Sequence, residues 1–174
     1  MKTAAIIIGI FGVALYISSY QFKNRKVIVA MYSAANILYV LQYIFLGAYS
    51  GMAMDSLAFI SSLFARKMDK PFIRKYHKLI IIALDLCMVV AGMLLYKNIF
   101  SLFSIVAVIV ETSALWCTSE SKIRKITLVA SPFWLTYNLA FSAIGSAVGN
   151  IINIVSLSVA ILRYDILKKK KSES

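Results

Sequence analysis

The chain has 174 residues, 61% of them hydrophobic, and a formal net charge of +12 from 19 Lys and Arg against 7 Asp and Glu. A soluble fold spreads its charges over its whole surface; here they cluster between long apolar runs, which excludes that class and removes nucleic acid as the meaning of the positive charge. Two cysteines and one histidine leave no Cys/His set for zinc and no disulfide framework.

A helix needs about 20 mostly apolar residues to cross the hydrocarbon core of a bilayer. Seven runs of that kind are predicted over 3–20, 27–46, 50–65, 79–96, 98–117, 125–143 and 147–166. The first starts like a secretion signal, with Met1-Lys2 and then Ala4 to Ala14, but it continues through Leu15, Tyr16 and Ile17. No small-x-small site precedes Lys23, so it reads as an uncleaved helix. Tight uncharged turns join spans two and three, and spans six and seven. Gly47, Gly51, Gly145 and Gly149 bracket them, as turn formers or as hinges of an outer gate.

Basic residues in short loops set the orientation. Of the 19 Lys and Arg, all but Lys2 and Lys97 fall in loops one–two, three–four and five–six or at the C-terminal end. Seven crossings put all of these on one side, so the N-terminus is expected outside and the C-terminus in the cytoplasm. The Lys168–Lys171 run also suits anionic headgroups of the bilayer. Cys87 and Cys117 fall inside predicted spans, and His77 sits in a basic loop, where a solvated role is expected. No phosphate-cradling glycine loop, Ser-x-x-Lys pattern or nucleophile elbow occurs, so no catalytic residue, metal or cofactor is assigned and an enzyme is not expected.

The sequence can be laid on itself with a shift of 98 residues and no gap. Ser33 then meets Ser131, Tyr39 meets Tyr137, Gly47 meets Gly145, Gly51 meets Gly149 and Asp55 meets Asn153. The expected fold is therefore all-α, with seven transmembrane helices in a 3+1+3 parallel repeat. Its parts are a first three-helix repeat over 1–66, a basic loop and linker helix over 67–96, a second repeat over 97–167 and a basic tail over 168–174. Three helices are an odd number, so the linker restores the orientation of the second copy.

With Tyr32-Ser33-Ala34, Leu46-Gly47-Ala48-Tyr49, Ala114-Leu115-Trp116-Cys117, Trp134, Tyr137-Asn138, Ile144-Gly145-Ser146 and Arg163, the chain resembles the SWEET and PQ-loop superfamily of small transporters. Within it the sequence is most similar to the YgjV family of bacterial inner-membrane proteins, over essentially its whole length. The Pro-Gln dipeptide that names the PQ-loop group is absent, since Pro71 and Pro132 are each followed by Phe. The resemblance implies a multi-pass protein of the bacterial inner membrane that moves a small solute.

Polar side chains inside spans are costly and usually face a bundle interior or a cavity. Asn36, Tyr39 and Gln42 recur every three residues in span two, and Trp134, Tyr137 and Asn138 share a face of span six. These faces either bind a polar or ring-shaped solute or bridge neighbouring helices. In SWEET-like transporters a polar residue from the third helix of each repeat helps line the pocket, which by resemblance selects Asp55 and Asn153. Asp55 also suits an ordinary carboxylate near a helix start. Asp85 and Glu111 lie at similar depth on consecutive spans, where contact would let them share a proton and couple transport.

The expected function is a small-solute carrier working by alternating access, with the bilayer and a small polar or ring-containing metabolite as its partners. A homo-oligomer is allowed. The rival is a non-transporting inner-membrane adaptor or stress-response module.

Overall fold

The computed structural model describes residues 2–46, 49–96, 98–140 and 144–167. Among these residues every regular element is helical and none is a strand. The helices are α1 (Lys2–Ser19), α2 (Arg25–Leu46), α3 (Tyr49–Arg66), α4 (Pro71–Leu94), α5 (Ser101–Leu115), α6 (Glu120–Ala140) and α7 (Ile144–Ala160). A π-helical turn, Ile161–Ile166, extends α7. Each predicted run coincides with one helix, and the boundaries differ by up to eight residues. The largest difference is at α4, which starts at Pro71 and not at 79. Pro suits the first helical turn, where its missing N–H has no partner to lose.

Gln42, Tyr39 and Tyr43 reach glycines on neighbouring helices, which shows how closely the backbones pack. A Cβ at Gly9 would lie 2.5 Å from the Gln42 amide, and one at Gly12 would lie 3.0 Å from the Tyr39 ring. Small residues at helix crossings are the usual means of close approach in lipid. α1 packs on α2 and α2 on α3; likewise α5 packs on α6 and α6 on α7. α4 lies more loosely against α3 and α5. The sets also meet where α1 packs on α7 and α3 on α5.

Large apolar side chains cover the outside. On α4 alone Leu79, Ile82, Leu86, Val90, Met93 and Leu94 are exposed. The first three steps are helical neighbours, so they form a stripe along the outward face. Contiguous apolar surface of this kind requires an apolar surrounding. By length and composition three helical segments are able to cross a membrane, Arg25–Phe45, Pro71–Leu94 and Ala147–Ile166. Ala4–Ser19 and Ser101–Leu115 are apolar but shorter. The other two helices carry charge: α3 has Asp55 and Arg66, and α6 begins with Glu120, Lys122, Arg124 and Lys125.

The basic loops gather at one end of the bundle and close it. The Arg25 guanidinium donates to the carbonyls of Cys117 (2.6 Å), Leu115 (2.6 Å) and Ala65 (2.9 Å). It thereby satisfies acceptors in the last turns of α3 and α5, and one just past the end of α5. Its own backbone N–H donates to Glu120. Arg124 donates to the Phe22 carbonyl at 3.2 Å and forms a buried ion pair with Asp165 at 2.5 Å. Lys23, Arg124 and Arg163 surround the Tyr164 ring at 4.9–5.5 Å. Lys26 pairs with Asp69 on the surface, and that hydrogen bond holds the Asp69 carboxyl below the usual carboxylate range. Beneath this layer lie Tyr20, Ile28, Val29, Leu115, Ile123 and Leu157, all fully buried.

The Arg124 and Asp165 side chains are only 4% and 5% exposed. Arg124→Ala strands a buried carboxylate and should cost about 3–5 kcal/mol. Reversible unfolding in mixed micelles reads this loss, and the double change Arg124→Leu with Asp165→Leu should recover much of it. A single variant as stable as the parent would show that the pair does not hold α6 against the end of α7.

Candidate functional site

Above the closed end, six helices surround a cavity of about 100 Å³. One water needs about 10–15 Å³ by this measure, so the space holds several waters or a small solute. α1 contributes Val13 and Tyr16; α2 contributes Tyr32, Asn36, Tyr39 and Tyr43; α3 contributes Asp55. From the other set come Val108 and Glu111 of α5, Trp134 and Asn138 of α6, and Gly149 and Asn150 of α7. None of the lining residues belongs to α4.

Glu111 is the most constrained group in the wall, at 4% exposure. One carboxylate oxygen accepts the Tyr16 hydroxyl from α1. The other accepts the Trp134 indole N–H from α6 at 2.8 Å. Tyr16 in turn packs edge-on against Tyr20, with ring centroids 5.4 Å apart, and against Tyr32 (5.8 Å) and Tyr39 (6.4 Å). Trp134 meets Tyr137 edge-on at 6.1 Å. Aromatic rings in such offset and edge-to-face contacts form a rigid wall with polar tips.

Asp55 carries no hydrogen bond among the described residues, and it lines the cavity. Asn36, 3% exposed, and Asn150 each bury a side-chain nitrogen that has no acceptor. Buried polar atoms are normally paired, and unpaired ones call for a partner from outside the protein chain.

The structure brings together Asn36, Tyr39, Asp55, Glu111, Trp134, Asn138 and Gly149 from the sequence reading. Others lie elsewhere. Gln42 turns away from the cavity and packs its amide against Gly9 of α1. Tyr137 is outside the lining, and its ring meets that of Trp134 edge-on. Asn153, 3% exposed, donates to the Ser131 hydroxyl at 3.2 Å and so bridges α7 to α6. Counted from the helix starts, the residue level with Asp55 is Asn150, each being the seventh of its helix. Asp85 sits half-buried on α4, outside the lining, and Glu111 bonds Tyr16 and Trp134 in place of Asp85. Gly51 backs the Tyr43 ring. Gly145 falls in the first turn of α7, and Gly47 lies outside the described residues.

Tyr16, Tyr32 and Tyr43 are lining residues that the sequence reading passed over. Their signal on α2 is the spacing 32, 36, 39, 43, which keeps all four side chains on one face.

A Cβ at Gly51 would lie 2.8 Å from Tyr43 ring carbons, whereas one at Gly149 would find its nearest atom, on Val13, at 3.6 Å. Gly51→Ala should therefore cost about 1–3 kcal/mol by overpacking. Gly149→Ala should stay within about 0.5 kcal/mol. Unfolding midpoints of the two variants in the same detergent compare them directly, and equal losses would contradict this packing.

The family model Imp-YgjV, described as bacterial inner membrane protein, matches residues 3–168. No curated protein and no solved structure matches the chain.

Proposed function

This chain belongs to the Imp-YgjV family of bacterial inner membrane proteins, and we propose that it is a carrier that moves a small solute by alternating access. The observation that carries the reading is the cavity's lining: α1, α2, α3, α5, α6 and α7 all contribute, and α4 does not. Six helices converge on one polar space while the seventh stays at the edge. An adaptor needs no such space.

In this reading the two sets of three are copies of one unit, related by an axis along the membrane normal, with α4 as the linker. Such an axis exchanges α1 with α5 and α3 with α7. The contact of α1 with α7 then has its counterpart in α5 with α3, and both occur. Gln21 donates to Ser156 in the first, and Trp116 donates to Ser61 in the second. Under the shift of 98, Ser33 bonding the Val29 carbonyl corresponds to Ser131 bonding the Thr127 carbonyl. The Lys26–Asp69 and Arg124–Asp165 pairs begin at corresponding positions as well.

The positive-inside rule puts the basic end in the cytoplasm and the N-terminus outside. The Arg25 and Arg124 layer is then a closed cytoplasmic gate. Opening it requires the two bundles to rock apart at that end, breaking the Arg25 bonds to α5 and the Arg124 bond to Phe22. Tyr39, Asn138 and Asn36 contact the solute between the bundles. The protein is a carrier in this reading and not an enzyme.

Proteoliposomes incubated with a mixture of small metabolites and assayed by mass spectrometry test the proposal. At least one solute should accumulate. Tyr39→Ala with Asn138→Ala should cut its uptake by about tenfold or more, or about 1.4 kcal/mol, in protein that still unfolds cooperatively. Uptake unchanged in the double variant would sink the site, and no uptake of any solute would sink the carrier.

A further inference from the structure

The chemistry of the cavity narrows the class of solute. Among the described residues its wall holds two carboxylates, Asp55 and Glu111, and no Lys, Arg or His. Glu111 already has both oxygens bonded, by Tyr16 and Trp134. Asp55 is unpartnered among the described residues. Five aromatic side chains, Tyr16, Tyr32, Tyr39, Tyr43 and Trp134, stand in the same wall.

An anion would meet a carboxylate with no cation to offset it. A zwitterion would bring a second carboxylate into the same difficulty. A neutral sugar leaves Asp55 without a charge partner. An organic cation is the one class that gains from both parts of the lining, because a carboxylate and aromatic faces each attract it. The free side-chain nitrogens of Asn36 and Asn150 add a second requirement. An amide N–H donates only, so the same molecule must offer an acceptor. The volume of about 100 Å³ keeps it compact.

We propose that the solute is a compact organic cation bearing an acceptor oxygen, such as an amino alcohol or a quaternary ammonium alcohol. Its nitrogen is received by Asp55 and the aromatic wall, and its oxygen by Asn36 and Asn150. The inference rests on the carrier reading for its physiological meaning, but binding is measurable without transport.

The test is thermal unfolding of the purified full chain in detergent with four probes at millimolar concentration. These are choline, ethanolamine, dimethylbutanol (the neutral carbon isostere of choline) and lactate. At least one of the two cations should raise the unfolding temperature, and the isostere and lactate should not. Asp55→Asn should weaken the apparent affinity for that cation by about tenfold or more while leaving the ligand-free unfolding temperature near the parent's. Should that variant fail to fold, Asn150→Leu serves in its place, and the same weakening is expected. Neither cation stabilising the protein, the isostere matching choline, or undiminished affinity in the folded variant would each overturn the proposal. Cation binding without uptake into proteoliposomes would uphold the site's chemistry and sink the carrier. Uptake of a neutral or anionic solute that depends on Tyr39 and Asn138 would uphold the carrier and sink the cation.

Discussion

Glu111 ties the bundle together at its centre. Burying a carboxylate in apolar helix packing is costly, and bonds to both of its oxygens offset that cost. Here one bond comes from α1 and the other from α6, so a helix of the first set and a helix of the second converge on a residue of α5. That junction fixes Tyr16, and Tyr16 orients the ring cluster with Tyr20, Tyr32 and Tyr39. The cavity is the space left on the far side of this cluster from the basic end. Its polarity follows from the helices' surroundings: the outer faces meet an apolar medium, and the remaining polar side chains turn inward.

The basic end works by a different principle. Charges there sit where helices end, and helix ends expose unpaired carbonyls. One guanidinium has five donors in a fixed fork and so serves several carbonyls at once. Arg25 reaches three carbonyls at the ends of α3 and α5. The same residues that would set topology by their charge therefore also lock the bundle by their hydrogen bonds. A lock built from a few directional bonds to carbonyls is separable without dismantling the apolar contacts inside each set. That is what a rocking motion between two bundles demands.

Helix number and placement were legible because the apolar runs are long and the charges between them are clear. Helix faces were less legible, and the reason is angular. At about 100° per residue, steps of three drift by about 60° each, so Gln42 lies about 120° round from Asn36. Steps of four, three and four keep Tyr32, Asn36, Tyr39 and Tyr43 within about 60° of one another. The same arithmetic separates Trp134 and Asn138 from Tyr137. The shift of 98 matched Asp55 to Asn153, whereas the helix starts set Asp55 level with Asn150, three residues earlier and nearly one turn away. Tyr16 had no period to reveal it, since its role comes from Glu111 on another helix. Asp85 and Glu111 share a depth in the sequence, but depth does not give the direction of a side chain round its helix.

The central claim is that the polar cavity opens to each side of the membrane in turn. Asn138→Cys, in a chain whose Cys87 and Cys117 are replaced by Ser, tests it most directly. The variant is placed in membranes of known sidedness and treated with a membrane-impermeant maleimide from one face or the other. The account predicts labelling from both faces, and suppression of both by a bound solute. Labelling from one face alone, or from neither, would contradict it.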